Sequence, residues 1–160
     1  MIDDHKQQIG RSLGLIPSGC FVLTARAGER ATGMLASWVQ QAGFEPPAVS
    51  VAVRSGRPVQ QLIEASGRFV LNLVPEERGP MFKHFGKGFA AGEPAFTGLA
   101  VREIPEGVVV EACAAYLACR LMNHVDSGDH RIYLGEVVAG GTLRSDPRPY
   151  VHIRADGLKY

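Results

Sequence analysis

Short apolar runs rich in β-branched residues, separated by glycines and prolines, make up most of this chain. Runs of this kind predict strands with turns between them, and they favour a barrel or sandwich over a helical bundle. The predicted strands cover residues 18–25, 31–37, 48–53, 68–74, 99–104, 108–111, 114–125, 131–138 and 150–153.

Helical spacing of apolar side chains is confined to three short stretches. A leading helix is predicted over residues 1–14, and a second over residues 58–66, where Pro58 opens the helix and Gly67 closes it. Met81, Phe82 and Phe85 show the same spacing before a Gly-rich loop at 87–98 that can lie over a pocket.

The stretch between the second and third predicted strands is expected to be irregular. Trp38 and residues 39–42 leave the strand, and the bend at 44–47 contains two prolines that cannot donate to a central ladder. The run 114–125 is long for one strand, and a turn at 126–130 would join it to the next in a long hairpin.

Size and charge narrow the classes of function. A chain of 160 residues with 46% hydrophobic content fits one domain, residues 1–160, with a single core. The net charge of +1 without a basic stripe argues against nucleic-acid or membrane partners, and no signal segment or long apolar run is seen, so we expect a cytoplasmic protein. Cys20, Cys113 and Cys119 lack metal or disulfide spacing and are expected to be buried thiols.

One strand leads into a basic helix start, which is a favourable place for an anion. The apolar run 48–53 ends in Arg54, Ser55, Gly56 and Arg57, and Pro58 then opens a helix. Free backbone N–H groups, the positive end of the helix dipole and guanidinium groups all favour a phosphate there. The alternative is an ordinary strand-to-helix crossover with a basic turn.

Other candidate residues carry weaker signals. The short side chains at 35–37 would let a flat ligand approach the backbone. Lys83, His84 and Lys87 could add positive charge, or simply be solvated. His130 follows a Gly-Asp turn, where it either faces a groove or lies in solvent. No dinucleotide-binding G-x-G-x-x-G or hydrolase G-x-S-x-G motif is present, and no metal site is expected.

Five segments in order resemble the flavin reductase-like family, whose fold is the FMN-binding split barrel. They are SGCFVLTA at 18–25, MLASW at 34–38, the Pro-Pro pair at 46–47, FVLNL at 69–73 and GDH at 128–130. With the KHF segment at 83–85, the pattern is most similar to the reductase domain at the C-terminus of cyanobacterial flavodiiron proteins. The resemblance implies a mostly β fold with a few short helices, a Greek-key-type antiparallel split β-barrel.

The resemblance also implies a site and an assembly. It implies a homodimer that binds FMN near the subunit interface, with NADH or NADPH as co-substrate. His130 would lie near the nicotinamide as the catalytic residue. The implied cofactor-binding residues are Met34, Leu35, Ala36, Ser37 and Trp38 along the flavin ring, Arg54, Ser55 and Arg57 at the phosphate, and Lys83 and Phe85 of the KHF segment.

The implied activity is hydride transfer from a nicotinamide cofactor to bound flavin, which would then reduce free flavin, a partner oxygenase, or an iron or diiron centre. Trp38 stands where many family members carry a small polar residue. That difference keeps open a flavoredoxin-like electron carrier that does not oxidise NAD(P)H directly. A third possibility is another use of the split barrel, namely haem binding or pyridoxamine phosphate oxidation.

Overall fold

A computed structural model describes residues 2–77 and 79–159, apart from the side chain of Ile2. In these ranges the helices are α1 (Ile2–Gly14), α2 (Pro58–Ser66) and α3 (Gly79–Phe85). The strands are β1 (Ser18–Gly19), β2 (Phe21–Ala27), β3 (Arg30–Ala36), β4 (Val39–Phe44), β5 (Pro47–Arg54), β6 (Arg68–Leu73), β7 (Val101–Ile104), β8 (Gly107–Val110), β9 (Ala115–Ser127), β10 (His130–Thr142) and β11 (Val151–His152).

Seven strands form one antiparallel sheet in the order β3-β2-β6-β9-β10-β5-β4. The sheet curls so strongly that β3 comes into contact with β5, although four strands lie between them in the sheet. Leu23, Val51, Phe69 and Tyr133, each from a different strand, therefore meet in one fully buried cluster. Two small sheets, β1 with β11 and β7 with β8, lie outside the main sheet.

Helix α2 forms where the sequence predicts it, because its large apolar residues face the barrel. Val59, Leu62 and Ile63 are buried in the same cluster as the sheet residues. Pro58 occupies the start of the helix, and Gly67 ends it with a left-handed φ of 67° and an N–H donated to Ile63 at 2.7 Å. The predicted opening and closing residues of this helix are confirmed.

Two buried polar side chains fix strand β8 against the barrel. The Thr24 hydroxyl donates to the carbonyl of Val108 at 2.7 Å and accepts the Val108 N–H at 3.0 Å. Asn72 donates to the carbonyls of Val22 and Val108, both at 3.1 Å, and accepts the Val110 N–H at 2.8 Å. Because these groups satisfy one another, they hold β8 in place without leaving a buried polar atom unpaired.

The structure corrects three boundaries. Residues 39–42, predicted to leave the strand, lie in β4, which pairs with β5 at the sheet edge. The predicted strand 18–25 is divided into β1 and β2. The hairpin of β9 and β10 is longer than predicted, because it continues through Ser127 and on to Thr142 with two bulges.

The last described residues are tied to the first helix. The Gly157 N–H donates to the carbonyl of Gly10 at 2.6 Å, and the Arg154 N–H donates to that of Gly14 at 3.1 Å. The segment after β11 is therefore anchored to α1 as far as it is described.

The three cysteines are buried and unbridged, as predicted. Within the described ranges, no helix has the length and apolar character needed to cross a bilayer.

Candidate functional site

A cavity of about 390 Å³ opens between the end of β3, the end of β5, helix α3 and the segment after β11. Its size falls in the range of sites that hold small molecules and cofactors. The residues that line it are Cys20, Met34, Leu35, Ala36, Ser37, Trp38, Ala52, Arg54, Arg57, Phe82, Phe85, Gly86, Lys87, Gly88, His152 and Arg154.

The first wall of the cavity is the segment Met34–Trp38, at the junction of β3 and β4. Met34 and Leu35 are half-buried at the end of β3, and Ala36 is buried. Ser37 and Trp38 lie between the two strands, and the carbonyl of Trp38 accepts the N–H of Ala52 at 3.0 Å. Because the wall consists of small or apolar side chains, a flat ligand can lie against it.

The opposite side of the cavity is positively charged. Arg54 ends β5, and Arg57 precedes Pro58 with an extended backbone (φ −71°, ψ 138°). Lys87 comes from the loop after α3. That loop lies close to Arg57, because a Cβ built on the next residue, Gly88, would lie 3.7 Å from Nη1 of Arg57. No Asp or Glu is among the described residues that line the cavity, so the side chains of these cations favour an anion there.

Trp38 is held in the cavity wall by two neighbours. Its ring centroid lies 4.6 Å from that of His130, with an angle of 36° between the planes. The guanidinium carbon of Arg154 lies 5.2 Å from the same indole ring, which is a cation–π distance. His130 itself is 6% exposed and pairs with Arg54 across β10 and β5, so it links Trp38 to the basic end of the cavity.

Asp129 holds the imidazole of His130 in place. Nδ1 of His130 lies 2.7 Å from Oδ1 of Asp129, and this hydrogen bond lowers the pKa of the Asp129 carboxyl below its ordinary value. The Asp129 carboxylate is therefore available as an acceptor, which orients the ring that contacts Trp38.

Eight of the eleven residues chosen from the sequence line the cavity: Met34, Leu35, Ala36, Ser37, Trp38, Arg54, Arg57 and Phe85. Three do not. Ser55 and Lys83 are exposed, and the Ser55 N–H donates to the carbonyl of Asp129 at 2.9 Å. His130 is neither in solvent nor in the cavity wall; it lies against Trp38.

The sequence reasoning missed His152 and Arg154 on this wall. In residues 151–154 the apolar side chains are exposed and the polar ones half-buried, the reverse of an ordinary surface strand. That inverted burial is a property of the fold, so the sequence alone carries no signal that points to these two residues.

Cys20 also lines the cavity, and burial raises the pKa of its thiol to about 11. It is therefore present as a neutral thiol near neutral pH, which is poorly suited to act as a nucleophile.

Residues 13–157 match the model of the flavin reductase like domain, and the chain therefore belongs to this family. Diflavin flavoprotein A 1 of Synechocystis sp. is 34% identical over 152 residues, which make up 94% of this chain and 26% of that protein. The chain thus spans about a quarter of the length of the curated relatives it matches. The predicted similarity to a cyanobacterial reductase domain is confirmed.

Solved structures confirm the predicted split-barrel fold. A homologue of nitrilotriacetate monooxygenase component B from Mycobacterium thermoresistibile superposes with a TM-score of 0.82 at 24% identity, over 97% of this chain and 86% of that one. An NADH:FAD oxidoreductase from Streptomyces globisporus, solved with NAD and FAD fragments, has a TM-score of 0.78 at 22% identity, over 89% and 85%. A flavoredoxin from Methanosarcina acetivorans has a TM-score of 0.69 at 20% identity, over 83% and 74%.

Proposed function

We propose that this chain binds FMN and transfers a hydride from NADH or NADPH to it, and that the electrons then pass to free flavin or to a partner protein. The observation that carries the proposal is the cavity itself. It joins an apolar wall at Met34–Trp38 to a cluster of cations at Arg54, Arg57 and Lys87, in a chain of the flavin reductase like family.

The cavity fits the chemistry of this cofactor. FMN combines a flat, largely apolar ring system with a phosphate dianion, and the two kinds of wall meet those two needs. The absence of carboxylates among the described lining residues favours the phosphate, and its size suits a ligand of this class. When bound, the flavin supplies the redox chemistry by accepting a hydride and releasing electrons.

In this proposal the residues of the chain bind the cofactor and orient it. Main-chain groups of Ser37 and Trp38 would hydrogen-bond the polar edge of the ring, while Arg54, Arg57 and Lys87 hold the phosphate through charge-assisted hydrogen bonds. We leave Ser55 and Lys83 out of the proposed phosphate site because neither lines the cavity. Phe85 is buried, and the centroid of its ring lies 6.2 Å from that of Phe96 in an edge-to-face arrangement. It therefore forms a rigid part of the wall.

His130 would act on the nicotinamide through Trp38. It is hydrogen-bonded to Asp129 and packs on the indole, and the indole in turn lines the cavity. A fixed Trp38 limits how a second flat ring can stack over the bound flavin, and such positioning is the protein's main contribution to hydride transfer.

Anaerobic mixing tests the proposed activity. The FMN-loaded protein is mixed with NADH or with NADPH in the absence of oxygen, and the flavin absorption band is followed. Loss of the band with either nucleotide is expected; a band that persists with both would remove the reductase activity from the proposal. FMN content after gel filtration tests cofactor binding separately, since it needs no electron donor.

A flavoredoxin-like electron carrier is the second candidate, and the position of Trp38 favours it. The indole, fixed between His130 and Arg154, narrows the cavity where a nicotinamide would stack. Reduction by a ferredoxin-type protein, together with no response to NADH or NADPH, would support this function over the first.

A homodimer belongs to the same proposal. Exposed apolar side chains cluster on the far part of the β9–β10 hairpin, where Met122 is 48% and Val125 59% exposed. A second copy of the chain that packs on this hairpin would cover them. Light scattering on the purified protein distinguishes a dimer from a monomer, and a monomeric mass would refute this part. The proposed protein acceptor is an oxygenase or a diiron centre, and electron transfer to it is tested by mixing the reduced protein with that acceptor.

A further inference from the structure

The turn between β5 and α2, residues 54–57, carries two of the cations that line the cavity, Arg54 and Arg57. The N–H groups of three residues in this turn are already hydrogen-bonded within the protein. These bonds run from Ser55 to the carbonyl of Asp129 at 2.9 Å, from Gly56 to Oε1 of Gln60 at 2.7 Å and from Arg57 to the carbonyl of Arg54 at 3.4 Å. The free N–H groups expected at this basic helix start are therefore already taken at these three residues, and binding of an anion by the turn falls to its two guanidinium groups.

Gln60 is the side chain that closes this turn. It lies in the first turn of α2 and is only 8% exposed. Its Oε1 accepts the Gly56 N–H, its Nε2 donates to the carbonyl of Val53 at 3.5 Å, and its own N–H donates to the carbonyl of Arg57 at 3.0 Å. Gln60 thus contacts the chain before the turn, within it and at its end. These bonds explain why an amide is buried on a helix face whose other buried residues are apolar.

Gly56 is the point at which the turn most needs this support. It has a left-handed φ of 89°, and glycine has the widest choice of backbone conformations of any residue. In the part of the chain that the structure describes, neither Arg54 nor Arg57 forms an ion pair with a carboxylate. The positions of the two guanidinium groups therefore depend on the backbone of the turn, and the Gln60 amide bridges that backbone.

We propose that Gln60 is a positioning residue for the phosphate site. It does not line the cavity, but by holding Gly56 and Val53 it keeps Arg54 and Arg57 together at the basic end of the cavity. The bridge thereby gives the site its preference for FMN over riboflavin, which has the same ring system and no phosphate. This inference rests on the proposed function, because the FMN phosphate is the anion that the two arginines would hold.

Gln60→Met tests the bridge. Methionine is similar in length and volume and adapts to a buried space, but its thioether is only a weak acceptor for the Gly56 N–H. FMN and riboflavin are titrated into the apoprotein, and the quenching of flavin emission gives both dissociation constants. The Kd for FMN should rise about tenfold because its charge-assisted hydrogen bonds are misplaced, whereas the Kd for riboflavin should stay within about twofold.

Gln61→Met is the matched control. Gln61 is the next residue on the same helix, but its side chain is exposed and does not line the cavity. The substitution removes the same amide group without touching the turn, so the Kd values for FMN and riboflavin should both equal those of the parent.

Hydrogen exchange of the apoprotein, followed by NMR, gives a readout that needs no flavin. The Gly56 N–H should exchange slowly in the parent because it is bonded to Gln60, and about tenfold faster or more in Gln60→Met. The Ser55 N–H is bonded to Asp129 instead, so its exchange rate should change far less. An unchanged Gly56 rate in Gln60→Met would overturn the role of the bridge.

The flavin titrations separate a failure of this inference from a failure of the proposed function. Equal FMN affinity of Gln60→Met and Gln61→Met would overturn the inference and leave FMN binding in place. A parallel loss of FMN and riboflavin binding, with a lower urea midpoint, would assign Gln60 to the stability of the fold. A parent that binds both flavins equally well would refute the phosphate site together with its positioning residue, and a parent that binds neither flavin would refute the proposed function as a whole.

Discussion

Two walls of the same barrel differ in how closely they are packed. Around Gly135 on β10 the barrel is filled: a Cβ built there would lie 2.6 Å from Cζ of Phe69 and 3.2 Å from Cβ of Cys119. Around Trp38 the wall is held by ring contacts at 4.6 Å and 5.2 Å beside a cavity. The close-packed wall determines stability and the open wall determines binding, so substitutions should affect one property without the other.

Gly135→Ala should have the largest effect on stability. The added methyl overlaps the Phe69 ring, and overpacking of this kind costs about 1 to 3 kcal/mol. Urea unfolding measures it. Gly141→Ala is the control on the same strand, because its nearest neighbour is the Tyr116 ring at 3.4 Å, and it should leave stability nearly unchanged. Equal stability of the two variants would show that the residues around Gly135 can move to accommodate the methyl group.

Arg54→Ala combined with Arg57→Ala should affect binding only. Charged hydrogen bonds contribute about 1.5 to 3 kcal/mol each, so FMN affinity should fall more than tenfold while the urea midpoint of the apoprotein stays the same. Calorimetric titration with FMN measures the loss. Arg148→Ala is the control, since Arg148 is exposed and lies outside the cavity. Unchanged FMN affinity in the double variant would place the phosphate elsewhere.

His130→Ala should leave FMN bound and slow its reduction. The imidazole packs on Trp38, and an aromatic pair contributes about 0.5 to 1.5 kcal/mol, so the rate with NADH should fall roughly two- to tenfold. Stopped-flow reduction of the FMN-loaded variant measures it. His124→Ala, an exposed histidine on β9, serves as the control. Loss of FMN would mean that His130 belongs to the flavin site itself.

The smallest predicted effect is a pH dependence of stability at Glu64. The hydrogen bond from the Tyr133 hydroxyl at 2.8 Å, helped by Arg131, holds the pKa of Glu64 below its ordinary value of 4.5. A lowered folded-state pKa stabilises the fold fully above about pH 4.5, and this contribution disappears as the pH falls through the lowered pKa.

Unfolding of the parent and of Glu64→Gln at several pH values measures that contribution. The parent should be more stable by less than about 1 kcal/mol at neutral pH, because the carboxylate is largely in solvent, and the difference should vanish in acid. Glu93→Gln, in an exposed loop, is the control. A stability difference that grows on acidification would contradict the predicted direction of the pH dependence.

The core wall was largely predictable from the sequence and the edge of the sheet was not. Strands such as β5 and β6 are nearly continuous apolar runs because they are buried, and that pattern is visible locally. Strand β4 has one neighbour and mostly exposed residues such as Gln40 and Gln41, so it shows no alternation. Its pairing with β5 defines it, and pairing is not a local property.

The cavity was predictable where its residues follow one another along the chain. Met34–Trp38 and Arg54 come from two strands that the sequence marks clearly. Arg154 comes from the last part of the chain, which the pairing of β1 with β11 brings to the cavity. Only the long-range pairing of strands places Arg154 at the cavity, and a single sequence does not show which distant segments pair.

The hydrogen bonds from Gly157 to Gly10 and from Arg154 to Gly14 hold the last described residues against the second half of α1. Lys159 therefore lies beside Arg154 in the cavity wall, and a module fused after the last described residues would begin close to the cavity. With a short linker its effective concentration there would be in the millimolar range, so even a weak electron acceptor would find the reduced cofactor often. The fold thus offers a natural attachment point for an acceptor, and linker length becomes a control on electron flow.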